Sequence, residues 1–192
     1  MKKSEIPHIA IISSSVRTER NSHRVALFFE NYLKGGKLCT TEILDLKELN
    51  FPIFNSPFKF QKEPTKETVD FAKKIETCDG IIIVTPEYNG GYPASLKNVI
   101  DLLYDEWHHK PVSISTVSTG IFGGSQAITS LQFILWKMHA LIATEMFPVP
   151  KVTDAFNELG KPTDEALIHK LAEVFIKELI WCIQVSKQIS NH

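Results

Sequence analysis

The sequence predicts an α/β fold, a three-layer sandwich in which helices cover both faces of a five-stranded parallel sheet. Two observations carry this. Short apolar runs, such as Gly80-Ile81-Ile82-Ile83-Val84, lack the polar alternation of a half-exposed strand and read as strands buried on both faces. Segments with apolar residues at helical spacing separate these runs, which is the order of elements that builds a covered parallel sheet. No internal repeat or low-complexity segment interrupts the alternation, so residues 1–192 read as a single domain.

The elements follow in order. Residues 8–13 form the first apolar strand. Residues 22–34 read as a helix with Val25, Phe28, Phe29 and Tyr32 on one face, ended by Gly35-Gly36. Residues 40–45 form the second strand, and 46–64, rich in Pro and Phe, read as irregular. A helix over 66–77 leads to the third strand at 80–85. The third helix, 93–104, has Pro93 in its first turn and Leu96, Val99, Ile100 and Leu103 on one face. The fourth strand spans 111–118, and the fourth helix 125–139, with Leu131, Ile134, Leu135 and Met138 inward. The fifth strand, 141–147, is bounded by Pro148 and Pro150. A polar link, 151–162, precedes a last helix over 163–188, with Leu167, Leu171, Val174 and Ile183 among its apolar positions. Right-handed crossovers leave few topologies, and the simplest is a flavodoxin-like sheet of order 2-1-3-4-5 with its ligand site beside the first strand.

Composition excludes some partners. Of 192 residues 43% are hydrophobic and 22% charged, as in an ordinary globular protein. A formal net charge of −1 gives no reason to expect nucleic acid or an anionic membrane. No apolar stretch approaches the roughly 20 residues a bilayer demands. Met1-Lys2-Lys3-Ser4-Glu5 is basic, but the apolar residues 9–12 are too few for a signal peptide, so a cytoplasmic location is expected. Cys39, Cys78 and Cys182 include no CxxC pair and read as buried thiols.

Three strand-end loops carry unusual residues, and in this topology they meet at one crevice. The first, Ser13-Ser14-Ser15-Val16-Arg17-Thr18-Glu19-Arg20-Asn21-Ser22, joins a strand to a helix N-terminus. Its hydroxyls, backbone N–H groups, helix dipole and guanidinium suit a phosphate. The alternative is a simple cap, with Asn21 or Ser22 closing the helix and Arg17 and Arg20 solvated. Neither a GxGxxG dinucleotide fingerprint nor a Walker loop is present. The second loop, residues 85–91, has prolines, Tyr88, Asn89 and the pair Gly90-Gly91, whose backbone can approach a flat ring. Its alternative is a tight Pro-Asn-Gly turn. The third, residues 118–125, again places glycines between strand and helix.

At these loops the chain resembles the NADPH-dependent FMN reductase family, flavodoxin-like enzymes that include quinone, azo and chromate reductases. Pro86-Glu87-Tyr88-Asn89-Gly90, with Pro93 and Leu96-Lys97-Asn98-Val99-Ile100-Asp101, is similar to that family's central signature almost residue for residue. Ser15-Val16-Arg17 with Ser22 resembles its phosphate loop, and Gly120 with Gly123-Gly124 its third loop. One departure stands out: the family usually has Gly before the phosphate-loop Ser, where this chain has Ser14.

The resemblance implies a bound FMN. On that carry-over Ser15, Arg17 and Ser22 hold the phosphate, with Arg20 and His23 as neighbours. Pro86, Glu87, Tyr88, Asn89 and Gly90 line the isoalloxazine, and Ser118, Thr119 and Gly120 face its pyrimidine side. The implied activity is a ping-pong transfer of two electrons from NAD(P)H to a quinone, flavin, azo or similar small-molecule acceptor. Such a scheme needs orientation more than a side-chain acid or base, so no catalytic residue is named. Asn98 and Asp101 read as bracing the second loop, and His108-His109 as a solvated pair with no metal role. A flavodoxin-type electron carrier is the alternative, which the near-neutral charge disfavours because such carriers are acidic; a flavin-dependent regulatory protein is a third reading. The family implies a homodimer or homotetramer, for which Trp107 and Trp136 are contact candidates or else core.

Overall fold

A computed structural model describes residues 6–190, so the basic N-terminal residues 1–5 lie outside it. Five strands, β1 (His8–Ser13), β2 (Thr40–Asp45), β3 (Gly80–Pro86), β4 (Pro111–Val117) and β5 (Leu141–Val149), form one sheet in the order β2-β1-β3-β4-β5. Every pairing is parallel, with Ile12 opposite Ile83 and Ile83 opposite Ile114. The three central strands are almost wholly buried; β1 and β3 are accordingly nearly unbroken apolar runs, whereas β4 buries Ser113, Ser115 and Thr116 among its apolar residues.

The helices are α1 (Ser22–Gly36), α2 (Leu46–Leu49), α3 (Lys66–Thr77), α4 (Ala94–Leu102), α5 (Ser125–Lys137), α6 (Val152–Ala155) and α7 (Glu165–Ser190). On one face Val25, Phe28, Phe29 and Leu33 of α1 pack with Phe175, Ile176, Leu179 and Ile183 of α7 over the sheet. On the other, Phe71 and Ile75 of α3, Leu96 and Ile100 of α4, and Leu131 and Leu135 of α5 do the same. Trp107 belongs to this second core at 0% exposure, whereas Trp136 is 63% exposed. No helix among the described residues is long and apolar enough to cross a membrane.

Several boundaries differ from the sequence expectation. Gly35 and Gly36 do not end α1. They complete its last turn, and Lys37 takes the left-handed cap at φ 51°. Pro148 does not bound β5, because an edge strand tolerates a residue without a ladder donor. Pro93 lies one residue before α4, in extended backbone, rather than inside its first turn. The segment taken as irregular contains α2 and a short 3₁₀ turn, Phe58–Phe60. The 151–162 link contains α6. Leu167, Leu171 and Val174 face solvent about half-exposed, whereas Ile183 is buried as expected.

Candidate functional site

The first loop leaves β1 at Ser13. Ser14 donates its N–H to the Val84 carbonyl at 3.1 Å, and its own carbonyl accepts from Ser95 Oγ of α4 at 2.6 Å. Ser14 is not among the residues at positive φ, so this turn makes no conformational demand for glycine. Asn21, the residue before α1, lies in helical backbone and makes no side-chain cap. The helix N-terminus therefore keeps unsatisfied N–H groups and their partial positive charge. Beside them the Ser22 hydroxyl is buried without a partner, a costly arrangement unless a ligand supplies one. The cap of the simple-cap alternative is therefore not formed.

The two arginines differ. Arg17 is exposed, and among the described residues its guanidinium has no ion pair or hydrogen bond. Arg20 is not solvated: both terminal nitrogens bond the Asp45 carboxylate at the end of β2, and Nη1 also donates to the Ser15 carbonyl at 2.8 Å. His23 turns its Nδ1 to Ser13 Oγ at 3.0 Å, with Asp45 at 3.7 Å. Burial, and then the Arg20 charge, hold the His23 pKa below its ordinary value, with Asp45 opposing.

The second loop is organised by its own backbone. Tyr88 and Gly91 exchange two hydrogen bonds, of 2.7 and 3.0 Å, around Asn89 at φ 51° and Gly90 at φ 79°. Two successive positive φ values define the type I′ turn that Asn-Gly favours. The Gly91 N–H, expected to be open, is spent in this turn; those of Asn89 and Gly90 make no bond among the described residues. Tyr88 donates to or accepts from Ser15 Oγ at 2.7 Å, which ties the second loop to the first. The Glu87 carboxylate accepts the Gln126 N–H at 3.0 Å and so caps α5, while its own N–H reaches the Val117 carbonyl at 3.3 Å.

The third loop is pressed onto the sheet. A Cβ on Gly124, at φ 78°, would lie 3.0 Å from Thr116 Cβ and 3.2 Å from the Val117 nitrogen, so close packing and backbone conformation both require glycine. Ser118 Oγ donates to the Gly120 carbonyl at 3.0 Å, and Val152 N–H to the Ser118 carbonyl at 3.1 Å. Ile121 and Phe122 project to solvent beside it.

These loops surround one cavity of about 230 Å³ at the carboxyl end of the sheet. Ser15, Arg17, Arg20, Ser22, Pro86, Tyr88, Ser118 and Thr119 line it; His23, Glu87, Asn89, Gly90 and Gly120 do not. Sequence reasoning missed Glu19, Asn21, Val117 and Val152, which also line it, and Asp45, which has no motif of its own. Of the residues read as bracing the second loop, Asn98 braces a different segment. It accepts from Phe54 N–H at 2.6 Å and donates to the Pro52 carbonyl at 2.8 Å. Asp101 pairs with Lys97 at 2.7 Å. His108 packs its ring between Tyr104 and His139, at centroid distances of 5.0 and 5.1 Å. No cluster among the described residues has three or more metal-ligating side chains. All three cysteines are buried, and burial pushes Cys39 and Cys78 up to about 11.

The family model for NADPH-dependent FMN reductases matches residues 7–154. Among curated relatives, the NAD(P)H-dependent FMN reductase LOT6 of Saccharomyces cerevisiae is 31% identical over 178 residues, covering 83% of this chain and 92% of that one. The NADPH azoreductase of Bacillus sp. is 26% identical and covers 95% and 96%. Among solved structures, the flavoenzyme NAD(P)H:(acceptor) oxidoreductase FerB of Paracoccus denitrificans shares the fold, with a TM-score of 0.75 at 21% identity over 93% of this chain and 98% of that one. The five-stranded order, the three loops around one cleft and these matches place this protein in the NADPH-dependent FMN reductase family of oxidoreductases.

Proposed function

We propose that the protein passes two electrons from NAD(P)H to a small acceptor, such as a quinone, a flavin or an azo compound, by a ping-pong mechanism with FMN held in the 230 Å³ cleft. The buried, unpartnered Ser22 hydroxyl at an uncapped helix N-terminus carries this reading. A phosphate group satisfies both defects at once. Ser15, Ser22 and the N–H groups that open α1 bind it, and Arg17, whose guanidinium makes no ion pair among the described residues, supplies positive charge against the Glu19 carboxylate on the same wall. Asn89 and Gly90 offer their N–H groups to the polar edge of the ring, and Pro86 and Tyr88 wall it. Glu87 acts on this wall indirectly, by capping α5. Ser118, Thr119 and Gly120 close the opposite edge.

Bound FMN supplies the two-electron centre that donor and acceptor address in turn. The chain's contribution is to bind, to orient and to keep one ring face open; no side chain is required to move a proton. Ile121, Phe122, Phe133 and Trp136, all exposed on or near α5, support self-association as a dimer or tetramer; light scattering tests that. Steady-state NADPH oxidation by the FMN-loaded protein tests the activity. A quinone-dependent rate with parallel double-reciprocal lines is expected, and no rate with any of the three acceptor classes would refute the assignment.

A further inference from the structure

We infer that Asp45 is a positioning residue for the phosphate loop, acting through Arg20, and that Arg20 is not itself a phosphate ligand. The inference rests on the FMN reading of the cleft. Asp45 is the last residue of β2, outside the motif-bearing loops, and nothing in its sequence context marks it. Its carboxylate takes both terminal nitrogens of Arg20 in a fork, and the two side chains are only 11% and 13% exposed. Such a bidentate pair fixes the guanidinium plane as well as its position. The charge of Arg20 is thereby cancelled at contact distance, which leaves Arg17 as the cation of this loop free to meet an anion, with the Glu19 carboxylate on the same cavity wall opposing it.

Held in that plane, Arg20 Nη1 donates to the Ser15 carbonyl at 2.8 Å. Ser15 Oγ in turn meets the Tyr88 hydroxyl at 2.7 Å. A continuous chain therefore runs from the end of β2 through the phosphate loop to the ring wall. Asp45 is itself anchored, because it accepts the Lys47 N–H at 3.0 Å and so opens α2. Asparagine at position 45 keeps that cap but breaks the fork.

The test compares FMN with riboflavin, which has the ring but no phosphate, by flavin fluorescence quenching in the apoprotein. Asp45→Asn is expected to weaken FMN binding about tenfold and to leave riboflavin within about twofold. Arg20→Lys, which cannot fork, should reproduce the effect, and the double variant should be no worse than either alone. FMN binding that tightens in Asp45→Asn would make the freed Arg20 a direct ligand and overturn the inference. Equal loss of both flavins, or additive single effects, would also overturn it by making the pair a general prop. A wild-type protein that binds FMN no tighter than riboflavin would instead remove the FMN reading beneath it.

Discussion

The first and second loops build two joined walls of one cleft by different means. The loop at 13–22 is shaped by distant side chains: Asp45 of β2, Tyr88 of the facing loop and Ser95 of α4. The loop at 85–91 is shaped by its own backbone, through two hydrogen bonds between Tyr88 and Gly91 around left-handed Asn89 and Gly90. The difference teaches where binding strength and shape come from. On the proposed reading the first wall presents unsatisfied donors and the exposed Arg17 to an anion. The second wall offers a flat surface whose geometry is fixed before anything binds. FMN and riboflavin share the ring and differ by the phosphate, so the two walls separate experimentally.

The largest effect is expected at Arg17. Removing an unpaired guanidinium from a phosphate costs about 1.5–3 kcal/mol, so Arg17→Ala should weaken FMN about 10- to 100-fold in a fluorescence titration and leave riboflavin unchanged. Retained FMN affinity would break the contrast between the walls. Ser22→Ala should act with opposite signs on two measurements. It removes a buried hydroxyl with no partner, so the melting temperature of the apoprotein should hold or rise, while FMN affinity falls about 3- to 10-fold. At the second wall, Gly90→Ala places a Cβ in left-handed backbone and costs about 1 kcal/mol. That corresponds to a melting temperature lower by about 2–4 °C, and because the strain is present before and after binding, the affinity for either flavin should change by less than about twofold.

The smallest effect is electrostatic. His23 has a folded-state pKa below its ordinary 6.5. As pH falls below 6.5 the unfolded chain takes up a proton before the folded chain does, so stability present at neutral pH is lost toward the lower folded value. Urea titrations of the apoprotein from pH 7.5 to 5 should show this slope, and His23→Gln should flatten it. A stability that rises with acid would contradict the burial of this ring.

The contrast also explains what the sequence showed. The type I′ turn is legible because Asn-Gly is what positive φ at two successive residues selects. The strand order is legible because short strand-forming segments, apolar above all in β1 and β3, alternate with helices and right-handed crossovers leave few topologies. The Arg20–Asp45 fork joins residues on two elements, and the Ser15–Tyr88 bond joins two loops far apart in sequence. No local pattern reports either. Glu87 shows the converse limit. It stands within the central signature, yet its carboxylate serves α5 rather than the cleft. Gly35-Gly36 misled because αL backbone favours glycine without demanding it, and Lys37 takes that role.

The central claim is that the cleft recognises a flavin by its phosphate. The most direct measurement is the ratio of dissociation constants for riboflavin and FMN on the wild-type apoprotein. FMN should bind at least about 100-fold more tightly, since the ratio contains the whole contribution of Arg17, Ser22 and the α1 N-terminus. Equal affinity for the two flavins, or no binding of either, would contradict it.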